Sequence, residues 1–204
     1  MYYLLHNQGA LAQLEHEVRG MFRSGSEIQM GVQLQSCTWL KACIDETMRM
    51  TPAVPGLLPR QVLRGGLDLP MLNMCLPPGI DVGVPIYALQ HHPQYVTNPF
   101  SFDPGRWCQK DHPQDRDALQ AVFCPLSLGH RSCLGKPLVY MELGIAVARL
   151  VYEYDMRLAV DQPHNAEFER EISEGKRHPN DYQTRDWFLS ASDGFNVEFR
   201  RRLK

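Results

Sequence analysis

The sequence predicts a mainly α-helical chain with small antiparallel β-sheets. Apolar residues recur at near-helical spacing over residues 2–22, which predicts an amphipathic helix. A second helix is predicted over residues 37–50, ending before Pro52 because the residue that precedes a proline disfavours the helical region. A third is predicted over residues 138–152, where apolar side chains cover most sides, and such a helix is expected to be buried.

Short strands are predicted where apolar and polar residues alternate beside turn residues. Residues 67–76 and 80–84 flank a Pro-Pro-Gly turn, which predicts two strands around that turn. Residues 188–191 and 195–199 flank a Ser-Asp-Gly turn, which predicts a hairpin. Residues 161–185 contain few apolar side chains and therefore predict a surface insertion or a mobile loop.

The composition limits the classes of function. With 204 residues, 44% hydrophobic content and a net charge of −2, the chain can bury one sizeable core and has no charge excess for binding nucleic acid. The longest apolar stretch, residues 139–152, is interrupted by Glu142 and Arg149, so we predict no membrane span, signal peptide or anchor in this chain. Six cysteines without a C-x-x-C pair favour a reduced, intracellular chain. The adjacent His91 and His92 are predicted to be surface or loop histidines.

One loop carries most of the information about function. Cys133 lies between Gly129 and Gly135, with Arg131 two residues before it and an apolar helix predicted just after it. Backbone N–H groups and a helix N-terminus stabilise a thiolate, and glycines let the backbone approach the sulfur because they lack a Cβ. Arginine is a permanently charged fork that suits a carboxylate such as a haem propionate. We interpret Cys133 as a thiolate ligand of haem iron, and the alternative is a small buried hydrophobic residue.

The loop resembles the haem-binding loop of the cytochrome P-450 superfamily of haem-thiolate monooxygenases. The family pattern is F-x-x-G-x-R-x-C-x-G, and Gly129, Arg131, Cys133 and Gly135 match it in register, while Leu126 stands where the family usually has Phe. The resemblance implies that Cys133 is the axial ligand of the iron and that Arg131 binds a propionate. It also implies that Leu126 packs under the macrocycle and that the two glycines form part of the haem-binding loop.

Two further motifs support the resemblance, in the order that the family has them. Glu46 and Arg49 form an E-x-x-R on the second predicted helix, and Arg106 lies in a segment that resembles the family's F-x-P-x-R-[FW] loop. The resemblance implies a structural cluster behind the haem, in which both arginines share Glu46. It also implies that Arg60 is a second propionate ligand. Residues 52–59 then either pass beside the substrate pocket or form a turn that only reverses the chain.

The resemblance implies that residues 1–204 form a single, partial haem-binding domain. This would be the C-terminal portion of the fold, mainly α with small antiparallel β-sheets, lacking the distal helix and the N-terminal half. The acid and threonine string of that helix, [AG]-G-x-[DE]-T, does not occur in the sequence.

The expected function is that of a haem-thiolate monooxygenase, which inserts one oxygen atom from O₂ into an apolar small molecule. The resemblance is to fungal enzymes that tailor secondary metabolites. Electrons from NADPH would arrive through a reductase partner, and a full-length relative could sit at the endoplasmic reticulum membrane. The alternative is a truncated, noncatalytic remnant that binds haem weakly or acts only through protein contacts.

Overall fold

The computed structural model describes residues 1–108, 113–185 and 187–202. The predicted mainly helical character with small antiparallel sheets is confirmed within these ranges. The helices are α1 (Tyr2–His6), α2 (Gln8–Met21), α3 (Val32–Ser36), α4 (Thr38–Met50), α5 (Ile86–Gln90), α6 (Gly105–Cys108), α7 (Pro113–Val122), α8 (Lys136–Glu153) and α9 (Ala166–Ser173).

The first predicted helix is two helices that meet at Asn7. The backbone of Asn7 leaves the helical region, with φ −127° and ψ 77°. The Asn7 side-chain amide donates a hydrogen bond to the Tyr3 carbonyl at 2.7 Å, and that of Gln8 donates to the Leu5 carbonyl at 2.8 Å. These bonds satisfy carbonyls that a continuing helix would have used, so the chain can turn without leaving buried acceptors unpaired.

The main core lies where α2, α4 and α8 pack against one another. Leu14 and Val18 of α2 meet Leu40 of α4 and Ala148 and Val151 of α8, and all five side chains are buried. The predicted helix over residues 37–50 is confirmed within one residue. This packing fixes α4, which carries two of the predicted site residues.

Helix α8 is not buried on most sides, so that part of the prediction is wrong for this chain. The side that faces α2 and α4 is buried at Gly144, Ala148 and Val151. Leu138 and Leu143 are exposed on other sides of the helix. No helix among the described residues is long and apolar enough to cross a membrane.

Within the described ranges the strands form three antiparallel pairs, and both predicted pairings are wrong. Strands β1 (Arg60–Gln61) and β4 (Asp81–Val82) pair, β2 (Leu67–Leu69) pairs with β3 (Met74–Leu76), and β5 (Tyr154–Leu158) pairs with β6 (Val197–Arg201). The chain reverses within residues 67–76, at a 3-10 turn that ends on Asn73 in the left-handed conformation. An asparagine tolerates that conformation better than most residues do, and this turn signal was missed from the sequence.

The C-terminal region also differs from its prediction. Strand β6 pairs with β5, while Arg185 and Ala191 form only an isolated bridge, so the predicted 188–199 hairpin does not form. Within the polar stretch 161–185, Asn165 caps α9 by accepting the Phe168 N–H at 3.0 Å, and Phe168 is buried. The stretch is therefore ordered in part by one cap and one apolar anchor.

Candidate functional site

The loop that carries Cys133 is shaped by two residues with left-handed backbone. Ser127 has φ +62° and Gly129 has φ +71°. The Cys133 amide donates a hydrogen bond across the loop to the Leu126 carbonyl at 2.9 Å, and the Ser132 amide donates to the Gly129 carbonyl at 3.1 Å. Cys133 is an exposed residue. The loop thus holds the cysteine backbone in place at the surface of the chain.

The two glycines of the motif do different things. Gly129 adopts a conformation that residues with a Cβ rarely adopt. Gly135 has an ordinary φ of −76°, and a Cβ built there would lie 3.6 Å from the Cys133 sulfur, an ordinary contact distance. Gly129 is therefore required by the backbone, whereas at Gly135 the backbone imposes no such requirement.

The cysteines differ in their environments. In the part of the chain that the structure describes, all six are free. Burial raises the pKa of Cys43 to about 12 and that of Cys37 to about 11, so both thiols stay protonated at neutral pH. Cys133, Cys75 and Cys108 are exposed. Of these, Cys133 follows the tight turn described above.

Two predicted anion ligands, Arg131 and Arg60, are exposed. Arg60 Nη1 donates to the backbone carbonyls of Leu58 and Pro59 at 3.2 and 2.9 Å. Among the described residues, neither arginine forms an ion pair with a carboxylate of the chain. Leu126 is half-buried beneath the same loop. No carboxylate of the described residues neutralises either guanidinium group, so both can pair with an added anion.

The structure brings Glu46, Arg49 and Arg106 together. Both Glu46 and Arg49 are fully buried, with Arg49 Nε 2.9 Å from Glu46 Oε2 and Arg49 Nη2 3.0 Å from Oε1. Arg106 Nε donates to Oε1 at 3.0 Å. One carboxylate is therefore shared by two guanidinium groups, which holds α6 against α4 in the core.

Sequence reasoning gave no role to two residues that complete this cluster. The indole N–H of Trp107 donates to Glu46 Oε2 at 3.0 Å. The Gln90 carbonyl accepts from Arg49 Nη1 at 3.0 Å, while the Gln90 side-chain oxygen accepts the amide of Cys124 at 2.9 Å. Gln90 therefore links the cluster to the segment that leads into the cysteine loop. No pattern in the sequence marks Gln90, whereas Trp107 stands at the last position of the F-x-P-x-R-[FW] motif.

Opposing effects act on the Glu46 carboxyl group. Burial alone raises its pKa, because a charged carboxylate loses hydration in the interior. The hydrogen bonds and charge of Arg49, the charge of Arg106 and the Asp103 amide outweigh burial and hold the pKa below its usual value. Glu46 is therefore ionised at neutral pH, as a carboxylate shared by two cations must be.

His91 lies in a turn directly after α5, in agreement with the predicted loop position, but it is not a surface histidine. Only 5% of its surface is exposed, and its ring stacks on Tyr87 with centroids 4.0 Å apart. Its Nδ1 lies 2.9 Å from the Tyr87 carbonyl, and its Nε2 is buried and has no hydrogen-bond partner among the described residues. Burial lowers its pKa to about 4. His92, beside it, is exposed as predicted.

Comparison with known proteins places this arrangement in a family. The family model described as Cytochrome P450 matches residues 1–183. The chain is 35% identical to the cytochrome P450 monooxygenase atnE of Emericella nidulans and 36% identical to apf7 of Gibberella fujikuroi, across 99% and 98% of its own length. It is 35% identical to lcsN of Purpureocillium lilacinum across its whole length.

These fungal relatives are longer proteins. The chain covers 37% of the length of atnE, 38% of apf7 and 58% of lcsN. It therefore corresponds to a part of each of them. The resemblance seen in the motifs is confirmed, and the chain belongs to the cytochrome P450 family.

Proposed function

We propose that this chain is the haem-binding part of a haem-thiolate monooxygenase. The observation that carries the proposal is the exposed residue Cys133, presented by a loop whose backbone is fixed by the Cys133 to Leu126 hydrogen bond. A bound haem would supply the activation of O₂ and the insertion of one oxygen atom into an apolar small molecule. Family membership supports this reaction class.

The residues of the site fit a haem. The group needs an axial ligand for iron, cations for its two propionates and apolar contacts for its ring. Cys133 offers a soft ligand, and Arg131 and Arg60 lack carboxylate partners among the described residues. Leu128 and Leu134 are exposed in the same loop, so apolar surface is available to a planar, apolar group.

Each of the proposed site residues has a distinct role. Cys133 binds the iron as a thiolate, and the turn at Gly129 sets the direction of its backbone. Arg131 and Arg60 hold the propionates by charge-assisted hydrogen bonds. Leu126 packs under the ring. The Glu46 cluster is structural, because it joins α4, α6 and, through Gln90, the segment before the loop.

We also propose that residues 1–204 are one partial domain, the C-terminal portion of the family's fold. The order of the E-x-x-R, the Phe102 to Trp107 segment and the cysteine loop supports this, as does the share of each relative that is matched. The oxygen-activating acid and threonine would then belong to a helix outside this portion. NADPH would act through a reductase partner, and the free cysteines support an intracellular location.

Carbon monoxide difference spectroscopy tests the proposal. The chain is supplied with haem, freed of excess haem, reduced, and measured before and after addition of carbon monoxide. We expect a thiolate-type, red-shifted band that is absent in Cys133→Ala and unchanged in Cys75→Ala, which removes an exposed thiol elsewhere. A band that survives in Cys133→Ala would contradict the assignment of the ligand. Absence of any band would favour the noncatalytic alternative for this chain.

A further inference from the structure

A short turn holds the cysteine loop to the segment that precedes it. The Ser127 amide donates a hydrogen bond to the Cys124 carbonyl at 2.9 Å, which closes a four-residue turn with Pro125 at its second position. The Leu126 carbonyl lies inside this turn and accepts the amide of Cys133 at 2.9 Å. The position of the Cys133 backbone therefore depends on where the turn lies.

Among the described residues, the side chain that bonds to the backbone of this turn is that of Gln90. Gln90 Oε1 accepts the Cys124 amide at 2.9 Å. Gln90 Nε2 donates to two carbonyls at the end of α4, that of Arg49 at 3.0 Å and that of Met48 at 3.3 Å. A carboxamide can donate to carbonyls and accept from an amide at the same time. Gln90 is fully buried, so water does not replace these bonds.

Gln90 is itself attached to the buried cluster. Its backbone carbonyl accepts Arg49 Nη1 at 3.0 Å, and Arg49 is paired with Glu46. A second contact joins the cluster to the same segment, because the Phe123 ring packs edge-on against Trp107 with centroids 4.6 Å apart. A ring contact leaves room for sliding, whereas a hydrogen bond has a preferred distance and direction. Gln90 is therefore the directional link between the cluster and the turn.

We propose that Gln90 is a positioning residue for Cys133 and acts through the turn at residues 124–127. Its carboxamide fixes the Cys124 amide, the turn carries the Leu126 carbonyl, and this carbonyl holds the Cys133 amide. The inference rests on the proposed function, in which Cys133 binds haem iron as a thiolate. Gln90 itself does not bind haem. Without its bonds the loop backbone is less well fixed, and a smaller share of the bound haem has the thiolate ligand.

Amide hydrogen exchange followed by NMR tests this link on the chain without haem. Gln90→Leu keeps the approximate size of the side chain and removes both its donor and its acceptor. We expect the Cys124 and Cys133 amides to exchange about five- to tenfold faster in this variant, the effect of one lost hydrogen bond. The matched control is Glu17→Ala, which removes two hydrogen bonds at the start of α4 instead.

The control separates positioning from a general loss of stability. In Glu17→Ala both exchange rates should stay within about twofold of the wild type, because this variant leaves the turn and its bonds intact. Equal acceleration in Gln90→Leu and Glu17→Ala would overturn the inference. The wild type gives a test even if Gln90→Leu does not fold. A Cys124 amide that exchanges as fast as an unstructured amide would overturn the inference, and a protected one supports it.

Carbon monoxide difference spectra of the haem-loaded chains supply a second readout, taken at a temperature at which every variant is folded. We expect the share of the thiolate-type band to fall in Gln90→Leu and to stay at the wild-type value in Glu17→Ala. A wild-type share in Gln90→Leu would refute the inference and leave the proposed function intact. If the wild type itself shows no thiolate-type band, the proposed function fails, and the exchange rates still decide whether Gln90 positions Cys133.

Discussion

Replacing Glu46 by Gln tests the buried cluster with a change that keeps the shape of the side chain. Five N–H groups point at the Glu46 carboxylate: two from Arg49 and one each from Arg106, Trp107 and the Asp103 backbone. A carboxamide offers one acceptor oxygen and one NH₂ group, so part of the ring of donors would face another donor. The substitution also removes the negative charge that compensates Arg49 and Arg106.

The magnitude follows from burial. Arg49 is 0% exposed, so its charge cannot turn to solvent when Glu46 loses its own. Breaking a buried ion pair by removing one partner costs about 3–5 kcal/mol. Because a domain is stable by about 5–15 kcal/mol, we expect Glu46→Gln to lose a large part of the free energy of unfolding. The remaining bonds of Arg49 to backbone carbonyls place the loss toward the lower end of that interval.

Urea denaturation followed by circular dichroism at pH 7 measures this loss. The matched control is Glu198→Gln, which breaks the exposed pair with Arg157 and should cost at most about 1 kcal/mol. The pH dependence has a definite sign: the folded pKa of Glu46 is depressed, so its contribution is present above about pH 4.5, its ordinary pKa, and disappears as pH falls further. Equal losses in Glu46→Gln and Glu198→Gln would refute the reasoning.

Four further substitutions follow from the structure. Glu17 accepts the Trp39 and Leu40 amides at the start of α4, each at 2.8 Å, so Glu17→Ala should lower the free energy of unfolding by about 1–2 kcal/mol in urea. Gly129→Ala should cost about 1–2 kcal/mol because of its left-handed backbone, whereas Gly135→Ala should stay within about 0.5 kcal/mol, both by the same assay. As the pH is lowered from about 6.5 to about 4, the free energy of unfolding should decrease, because His91 becomes protonated in the unfolded chain but stays neutral in the folded one. The substitution His91→Gln should flatten that profile.

Controls separate these effects from general damage. Glu142→Ala removes an exposed helical carboxylate and should leave stability unchanged, so a similar loss there would contradict a capping role for Glu17. If Gly135→Ala costs as much as Gly129→Ala, the backbone of Gly129 is not the cause. His16 is exposed, and His16→Gln should keep the wild-type pH profile. A wild-type profile in His91→Gln would show that another group titrates.

Motifs made of residues close together in sequence indicated the family and the cysteine loop. Gly129, Arg131 and Cys133 lie within five residues, and Glu46 and Arg49 lie one helical turn apart, so both could be read without knowing the fold. The pairing of Glu46 with Arg106 came from the resemblance, since the two residues are 60 positions apart in sequence. Nothing local linked Gln90 to Arg49 or to Cys124.

Strand pairing was the weakest part of the prediction. The Pro-Pro-Gly segment lies between β3 and β4, but these two strands do not pair with each other, because a reversal at Asn73 makes the preceding segment a hairpin of its own. Strand β4 then pairs with β1, which the alternation pattern did not indicate. Short strands bury little surface, so their sequence alone does not specify a partner.

The family, the thiol-bearing loop and the mainly helical character of the chain follow from the amino-acid sequence. These depend on residues close together, whose backbone angles and side-chain periodicity are set by their neighbours. Tertiary structure alone decided that Gln90 joins the cluster to the loop, that His91 is buried, and that Asp181 meets Tyr87 across 94 positions of sequence. Contacts at such separation depend on how the helices pack, because the polar groups left buried must find whatever partners that packing brings near.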